Sequence, residues 1–333
     1  MTVMQNPYLM FLGDVGDQLG AKTAQGIVDW RPEWCIGQLR LDGCAADLGI
    51  QDTSIANAVA AGAKTFTIGI VNSGGFLPDH WISIITQALD AGMDVASGLH
   101  IRLGDIPEIQ SAAERNGRTL FDVRHPTHAI ATGKGTQRSG KRLLAVGTDC
   151  SVGKMYTTLA LEKEMRSRGM KADFRATGQT GIFIAGSGIS IDAVVADFIS
   201  GAVEELSPAN DADHWDIIEG QGSLFHPAFA GVSLGLLHGA QADALVLCHE
   251  PTRTYMRGLP HQPLPELREC MALNMATAQL TNKAAHFVGV AINTAELSVE
   301  EGDRYLKELE DDLGLPCTDP FRLGTASIVD ALS

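Results

Sequence analysis

Short apolar runs alternate along this chain with segments whose apolar residues recur at helical spacing. In the first half the pattern predicts strands at 8–12, 35–40, 65–71, 94–97 and 120–123. Helices are predicted between them at 23–30, 55–61, 80–91 and 107–116. Turn residues close the strands, among them Gly13-Asp14 and Asn72-Ser73-Gly74-Gly75. Repeated strand, turn and helix imply a mostly parallel sheet with helices on both faces. The pattern lapses over 126–141, where 131–141 is small, polar and basic without an apolar period. That stretch is expected to be a linker, dividing a domain over 1–130 from a second over 142–333.

The second half restarts with a strand at 142–146, a glycine turn and a helix over about 154–169. Further strands are predicted at 173–176, 215–219, 244–248, 287–293 and 315–317, with helical segments at about 191–206 and 299–313. The expected fold is therefore α/β, two doubly wound domains with mostly parallel sheets.

A chain of 333 residues can bury two cores. Its 36 glycines suit tight strand-to-helix turns. The formal net charge of −15 argues against a nucleic-acid partner, which needs a basic face to displace counterions. Anionic ligands must then be held by local devices, such as helix N-termini and single cations. Six cysteines lie scattered without a C-x-x-C pair or zinc spacing, so reduced thiols and no metal ligands are expected. The first residues lack a basic segment followed by an apolar one, so no signal peptide, no membrane span and a cytoplasmic location are expected.

The strongest chemical signal is Gly147-Thr148-Asp149-Cys150-Ser151-Val152-Gly153-Lys154. A strand that stops at glycines and passes directly into a helix leaves N–H groups aimed at one spot, and the helix dipole adds positive potential there. Lys154 brings an ammonium to the same place, so the run predicts a phosphate-binding P-loop. Met155 follows where nucleotide-hydrolysing loops carry a Ser or Thr hydroxyl for Mg²⁺. Thr157 and Thr158 come too late, because two residues turn a helix by about 200°. Such a loop can grip phosphates but is less suited to splitting them. Coenzyme A, with its diphosphate and ribose phosphate, meets that description.

Glu219 ends the apolar strand Trp215-Asp216-Ile217-Ile218 and precedes Gly220-Gln221-Gly222-Ser223. A carboxylate at the carboxyl end of a strand neighbouring the P-loop can serve as a general base or hold Mg²⁺ through water. The alternative is a turn carboxylate. The glycine-rich stretch Thr177-Gly178-Gln179-Thr180-Gly181, continuing to Ala185-Gly186-Ser187-Gly188, suggests backbone lying against a ligand or another chain, or a flexible crossing. His226 follows closely enough to reach the same cleft, although a lone histidine is more often structural.

The run 147–154 resembles the P-loop of dethiobiotin synthetase and its cobyric-acid-type relatives, Gly-Thr-Asp-Thr-x-Val-Gly-Lys-Thr. Asp216-Ile217-Ile218-Glu219-Gly220 is similar to their strand bearing a magnesium-binding Glu, and the likeness departs at Met155. A wider resemblance spans nearly the whole chain, to the D-glutamate N-acetyltransferase family, with a Rossmann-like N-terminal and a P-loop C-terminal domain. Gly13-Asp14, Lys22-Thr23-Ala24, Gly26, Ala96 to His100 with Arg102, and Asp122-Val123-Arg124 carry it in the first domain. Gly147 to Met155, Glu219 to Leu224, and Asp319-Pro320 with Arg322 carry it in the second.

This resemblance implies an acyltransferase moving acetyl from acetyl-CoA to the amino group of D-glutamate. Gly147, Thr148, Cys150, Ser151, Val152, Gly153, Lys154 and Met155 would hold coenzyme A, and Glu219 or Asp149 would take the ammonium proton. Backbone N–H groups of a glycine loop would serve the oxyanion. Cys150, near a helix N-terminus that can lower a thiol pKa, is a loop-packing residue in this reading and an acetyl-Cys the minority option. The two substrate carboxylates need cations, with Lys22, Arg40, Arg102 and Arg124 as candidates and Arg102 first. Asn72 and Ser73 stand at a similar strand end. A magnesium requirement stays open, the partners expected are small molecules, and a homodimer or higher homo-oligomer is expected. The alternatives are an ATP-dependent ligase or kinase acting on a small carboxylate, and a nucleotide-sensing module.

Overall fold

The computed structural model describes residues 3–70, 76–126 and 128–332. In chain order the first elements are β1 (Tyr8–Gly13), α1 (Lys22–Trp30), β2 (Cys35–Arg40), α2 (Ile55–Ala60), β3 (Thr65–Ile68), α3 (Ile82–Asp90), β4 (Asp94–Ser97), α4 (Pro107–Asn116) and β5 (Leu120–Asp122). There follow β6 (Lys141–Gly147), α5 (Lys154–Ser167), β7 (Ala172–Arg175), α6 (Gln179–Ala185), α7 (Ile199–Leu206), β8 (Trp215–Ile218), α8 (Ala230–Ala240) and β9 (Ala244–His249). The last are β10 (Tyr255–Met256), β11 (Leu259–Pro263), α9 (Leu267–Ala278), β12 (His286–Ile292), α10 (Val299–Leu313), β13 (Cys317–Thr318) and α11 (Ala326–Asp330). They gather into two compact units, Met1–Thr127 with Gly178–Ala193, and His128–Thr177 with Val194–Ser333.

The first unit is built on a parallel sheet in the order β2-β1-β3-β4-β5. β1, a continuous apolar run, and β3 are buried along their whole length, as strands of a sheet covered on both faces should be. Gly13 adopts φ +57°, and a Cβ there would lie 2.1 Å from the Trp81 ring, so only glycine fits. Asp14 next to it accepts a hydrogen bond from Trp81 Nε1 at 2.9 Å. The helix predicted at 80–91 is a 3₁₀ turn, Asp79–Trp81, leading into α3. The strand expected to reach residue 71 ends at Ile68, and the turn Asn72-Ser73-Gly74-Gly75 lies outside the described residues.

One helix of this unit comes from late in the chain. The sequence alone suggests a glycine-rich loop around 177–188, yet the structure forms α6 there, with Ile182, Phe183 and Ile184 buried. Met4 N–H donates to Gly186 O at 3.0 Å and Tyr8 OH to Phe183 O at 3.3 Å, while the Thr23 and Thr180 hydroxyls meet at 3.2 Å. Three consecutive apolar residues are too short a signal to show a helical period.

The second unit holds a parallel sheet in the order β13-β12-β9-β6-β8-β7. The chain leaves β6 toward one side and later returns to its other side, so the strand order reverses at β6. Crevices outside the carboxyl end of such a strand are where ligands bind in open α/β sheets. Leu143, Ala145, Ile217 and Val246 pack in the core below it. Residues 131–141 run against the unit: Lys134 and Gly135 N–H groups donate to the Glu204 carboxylate, and Arg138 donates to Gly239 O at 2.7 Å. The helical stretch expected at 191–206 is two 3₁₀ turns, Ile191–Ala193 and Ala196–Phe198, followed by α7. All six cysteines are free, and no helix of the described residues is long and apolar enough to cross a membrane.

Candidate functional site

β6 stops at Gly147, and the chain passes through 148–153 into α5 with Ser151 at φ 55° and Gly153 at φ 104°. Among the described residues the N–H groups of Ser151, Val152 and Gly153 meet no acceptor, the condition that makes such a turn an anion site. Lys154 is buried, and its Nζ donates to Asp149 O at 2.7 Å. Burial pushes its pKa down, so the charged ammonium gains from an anion placed beside it. The next turn of chain lies hard against this lysine. A Cβ on Gly220 would sit 1.7 Å from Ala145 O and 2.9 Å from Lys154 Cδ.

Asp149 is wholly buried and its carboxylate is saturated. Oδ1 accepts from Cys150 N–H at 2.6 Å, and Oδ2 from Arg253 Nη1 at 2.9 Å and Arg257 N–H at 2.7 Å. These bonds tie the P-loop to the segment that follows β9. Asp149, considered above as a general base, holds the loop through them. Arg253 also donates to Cys150 O at 2.7 Å and Ser151 O at 3.3 Å, and Arg257 Nη1 to Ser151 Oγ. The sequence reading passed over these two arginines. They follow β9, whose pairing with β6 brings them to the loop.

Cys150 is half-buried, and burial raises its pKa despite the nearby cations, so the thiol stays protonated. This overrides the lowering expected from a helix N-terminus. Met155 is half-buried at the second position of α5. Thr158 Oγ1 is turned back to Lys154 O (3.0 Å) and Met155 O (2.8 Å), and Thr157 Oγ1 faces Cys248 Sγ at 3.4 Å. Neither hydroxyl stands in for the one that Met155 lacks.

Thr148 is buried, with its Oγ1 3.0 Å from His249 Nδ1 and its carbonyl accepting from Ser223 Oγ at 3.0 Å. Burial pulls the His249 pKa from 6.5 down to about 4. Between those values the unfolded chain takes up a proton that the folded chain refuses, so stability falls as pH drops from about 6.5 to about 4. The loss expected from this residue is roughly 3 kcal/mol. Melting curves of the protein and of His249→Asn across that range test this: the variant should show a shallower pH slope, and parallel slopes would refute it.

Glu219, 5% exposed, extends from β8 beside the P-loop strand. Its Oε2 accepts from Thr177 N–H at 2.9 Å, its carbonyl from Thr177 Oγ1 at 2.7 Å, and its charge acts on Lys154. Gln221 Nε2 donates to Thr177 Oγ1 at 3.1 Å, which ties the following turn to the same residue. His226 is buried, stacked on Phe229 at 4.5 Å, and its Nδ1 accepts from Ala228 N–H at 3.2 Å. Ligand atoms of Asp149, Cys150 and His226 lie within 4.8 Å of one another. That set does not fit a cation, because the Asp149 charge is already matched by Arg253.

In the first unit the proposed cations divide. Arg40 is held by Asp52 through Nε at 2.8 Å and Arg124 by Asp192 at 2.6 Å. Arg102 is exposed, and its side chain makes no hydrogen bond or ion pair among the described residues. Lys22 opens α1. Asn72 and Ser73 lie outside the described residues.

The chain matches two family models, "Domain of unknown function (DUF1611_C) P-loop domain" over residues 129–329 and "Domain of unknown function (DUF1611_N) Rossmann-like domain" over 39–126. A protein of Tritonibacter scottomollicae named D-glutamate N-acetyltransferase is 54% identical over 331 residues, 99% of each chain. Another of that name from Pseudoalteromonas sp is 54% identical over 323 residues, 97% of each. The crystal structure of a DUF1611 family protein from Anabaena variabilis ATCC 29413 aligns with a TM-score of 0.86 at 31% identity, covering 98% of this chain and 99% of that one.

Proposed function

This chain belongs to the DUF1611 family in both its Rossmann-like and its P-loop domain, and we propose from that membership that it is a D-glutamate N-acetyltransferase using acetyl-CoA. The identity of 54% to two enzymes of that name, over nearly the full length of each, is the observation that carries the reading. The amine nitrogen attacks the thioester carbonyl, the C–N bond forms as the C–S bond breaks, and coenzyme A leaves as its thiol. The ammonium proton must first be removed.

Each part has a candidate in the chain. The unsatisfied loop N–H groups, Lys154 and Arg257 supply positive charge for the phosphates of the donor, while Arg253 holds the loop through Asp149. The first turn of α5 offers Met155 in place of a metal-binding hydroxyl, which suits a loop that grips a diphosphate without cleaving it. Glu219 is the base, poised at the carboxyl end of β8. The N–H groups of the turn 220–223 serve the oxyanion. Arg102 and Lys22 meet the carboxylates of the acceptor.

The test is release of free coenzyme A on mixing the protein with acetyl-CoA and D-glutamate, with L-glutamate, no acceptor and EDTA as controls. Release that requires D-glutamate and persists in EDTA is the expected result. Its absence, with ADP formed from ATP and a small carboxylate instead, would overturn the reading.

A further inference from the structure

A cavity of about 600 Å³ opens beside the P-loop, within the size range of small-molecule sites. One wall is Val152 and Gly153 of the loop with Tyr156 of the first turn of α5. The opposite wall is the carboxyl end of β12 with the segment that follows it, and the residues after β13 complete the lining. A group attached to a phosphate on the loop N–H groups has this cavity as its immediate neighbour. We infer that the cavity seats the adenine nucleoside of the acyl donor, an inference that rests on the donor reading above.

The lining has the chemistry of a base pocket. Ile292, Leu297 and Val299 give it apolar surface. Phe321 is 78% exposed at its edge, with its ring 6.2 Å from that of Tyr156 in an edge-to-face arrangement. An aromatic side chain left this open is a platform for a flat π-system, and stacking a base on one is worth about 1–3 kcal/mol.

The two loops are locked together before any ligand arrives. Asp319 is buried, and its Oδ2 accepts from Thr294 N–H at 3.1 Å and from the Thr294 hydroxyl. Its Oδ1 accepts from Phe321 N–H at 2.9 Å and Arg322 N–H at 3.1 Å. One carboxylate thus fixes the backbone of Phe321 to the far wall, which preorganises the pocket.

The same bonds select the base. Both Asp319 oxygens are consumed, so that carboxylate has no free face for the N–H donors of a guanine edge. Asn293 accepts from Ala295 N–H at 3.2 Å through Oδ1, which leaves its NH₂ group as a donor. A donor suits the ring-nitrogen acceptors of either purine, so the preference for adenine rests on the occupied Asp319 carboxylate.

Adenine could arrive on coenzyme A or on ATP, and calorimetric titrations with adenosine 3′,5′-bisphosphate, ADP and guanosine 3′,5′-bisphosphate separate the cases. They should be run on the protein, Phe321→Ala and Ala295→Trp, the last adding bulk at an exposed lining position. The adenosine bisphosphate should bind more tightly than the guanosine one. Each variant should weaken it roughly tenfold or more, and Phe321→Ala should raise the KM for acetyl-CoA by a similar factor. Unchanged affinity in both variants, equal binding of the two bases, or no binding of either adenine nucleotide would overturn the inference. Binding that the variants weaken, in a protein that releases no coenzyme A with any acceptor, would uphold the pocket and sink the acetyltransferase reading instead.

Discussion

Replacing Lys154 by Met should raise the KM for acetyl-CoA by roughly 10- to 100-fold and leave the folded protein at least as stable as before. The loss follows from the ammonium's place. It sits inside the P-loop, bonded to Asp149 O at 2.7 Å, where a charge-assisted contact to a phosphate is worth about 1.5–3 kcal/mol. The stability term has the opposite sign. Burial already depresses the Lys154 pKa, so the folded state pays for holding it charged, and an apolar chain of similar length removes that cost. The Asp149 carbonyl loses a donor, which offsets part of the gain. Steady-state kinetics in acetyl-CoA and a melting curve read both effects on one sample. A melting temperature more than a few degrees lower would mean that the lysine holds the loop up, and an unchanged KM would mean that the phosphates bind elsewhere.

How far such a site is legible in sequence depends on the range of the contacts that make it. β6, the glycine turn and α5 could be read directly, because a strand of continuous apolar residues and a helix meet within a few positions. α10 was equally plain, with Ser298 and Glu301 forming a capping box at its start and Gly314 left-handed at its end. α8 was missed because Ala230–Ala240 is apolar or small nearly all round and shows no face. Arg253 and Arg257 were missed for a different reason. They reach Asp149 and Ser151 across more than a hundred residues, through the pairing of β9 with β6. No local pattern encodes that pairing. For Cys150 a helix N-terminus is visible in sequence, but the burial that raises its pKa, in keeping with a packing residue, is not.

The distinction between Asp149 and Glu219 yields the other large effect. Both carboxylates are buried next to the loop, but their partners differ in kind. Asp149→Asn breaks a pair with Arg253 and sets an NH₂ group against the N–H donors that now converge on the carboxylate. Destabilisation of about 3 kcal/mol is expected, seen as a fall of several degrees in melting temperature. Activity lost here should come from the loosened loop, as a raised KM for acetyl-CoA rather than a lower kcat. Glu219→Gln should behave in reverse. Its side-chain oxygen can still accept from Thr177 N–H, so the fold is retained, while kcat falls by roughly 10²–10⁴ with the loss of the base. The melting temperature should stay close to that of the parent protein in this variant alone. If kcat instead collapses in Asp149→Asn and holds in Glu219→Gln, the proton is taken by the loop aspartate, and its pairing with Arg253 must open during the reaction.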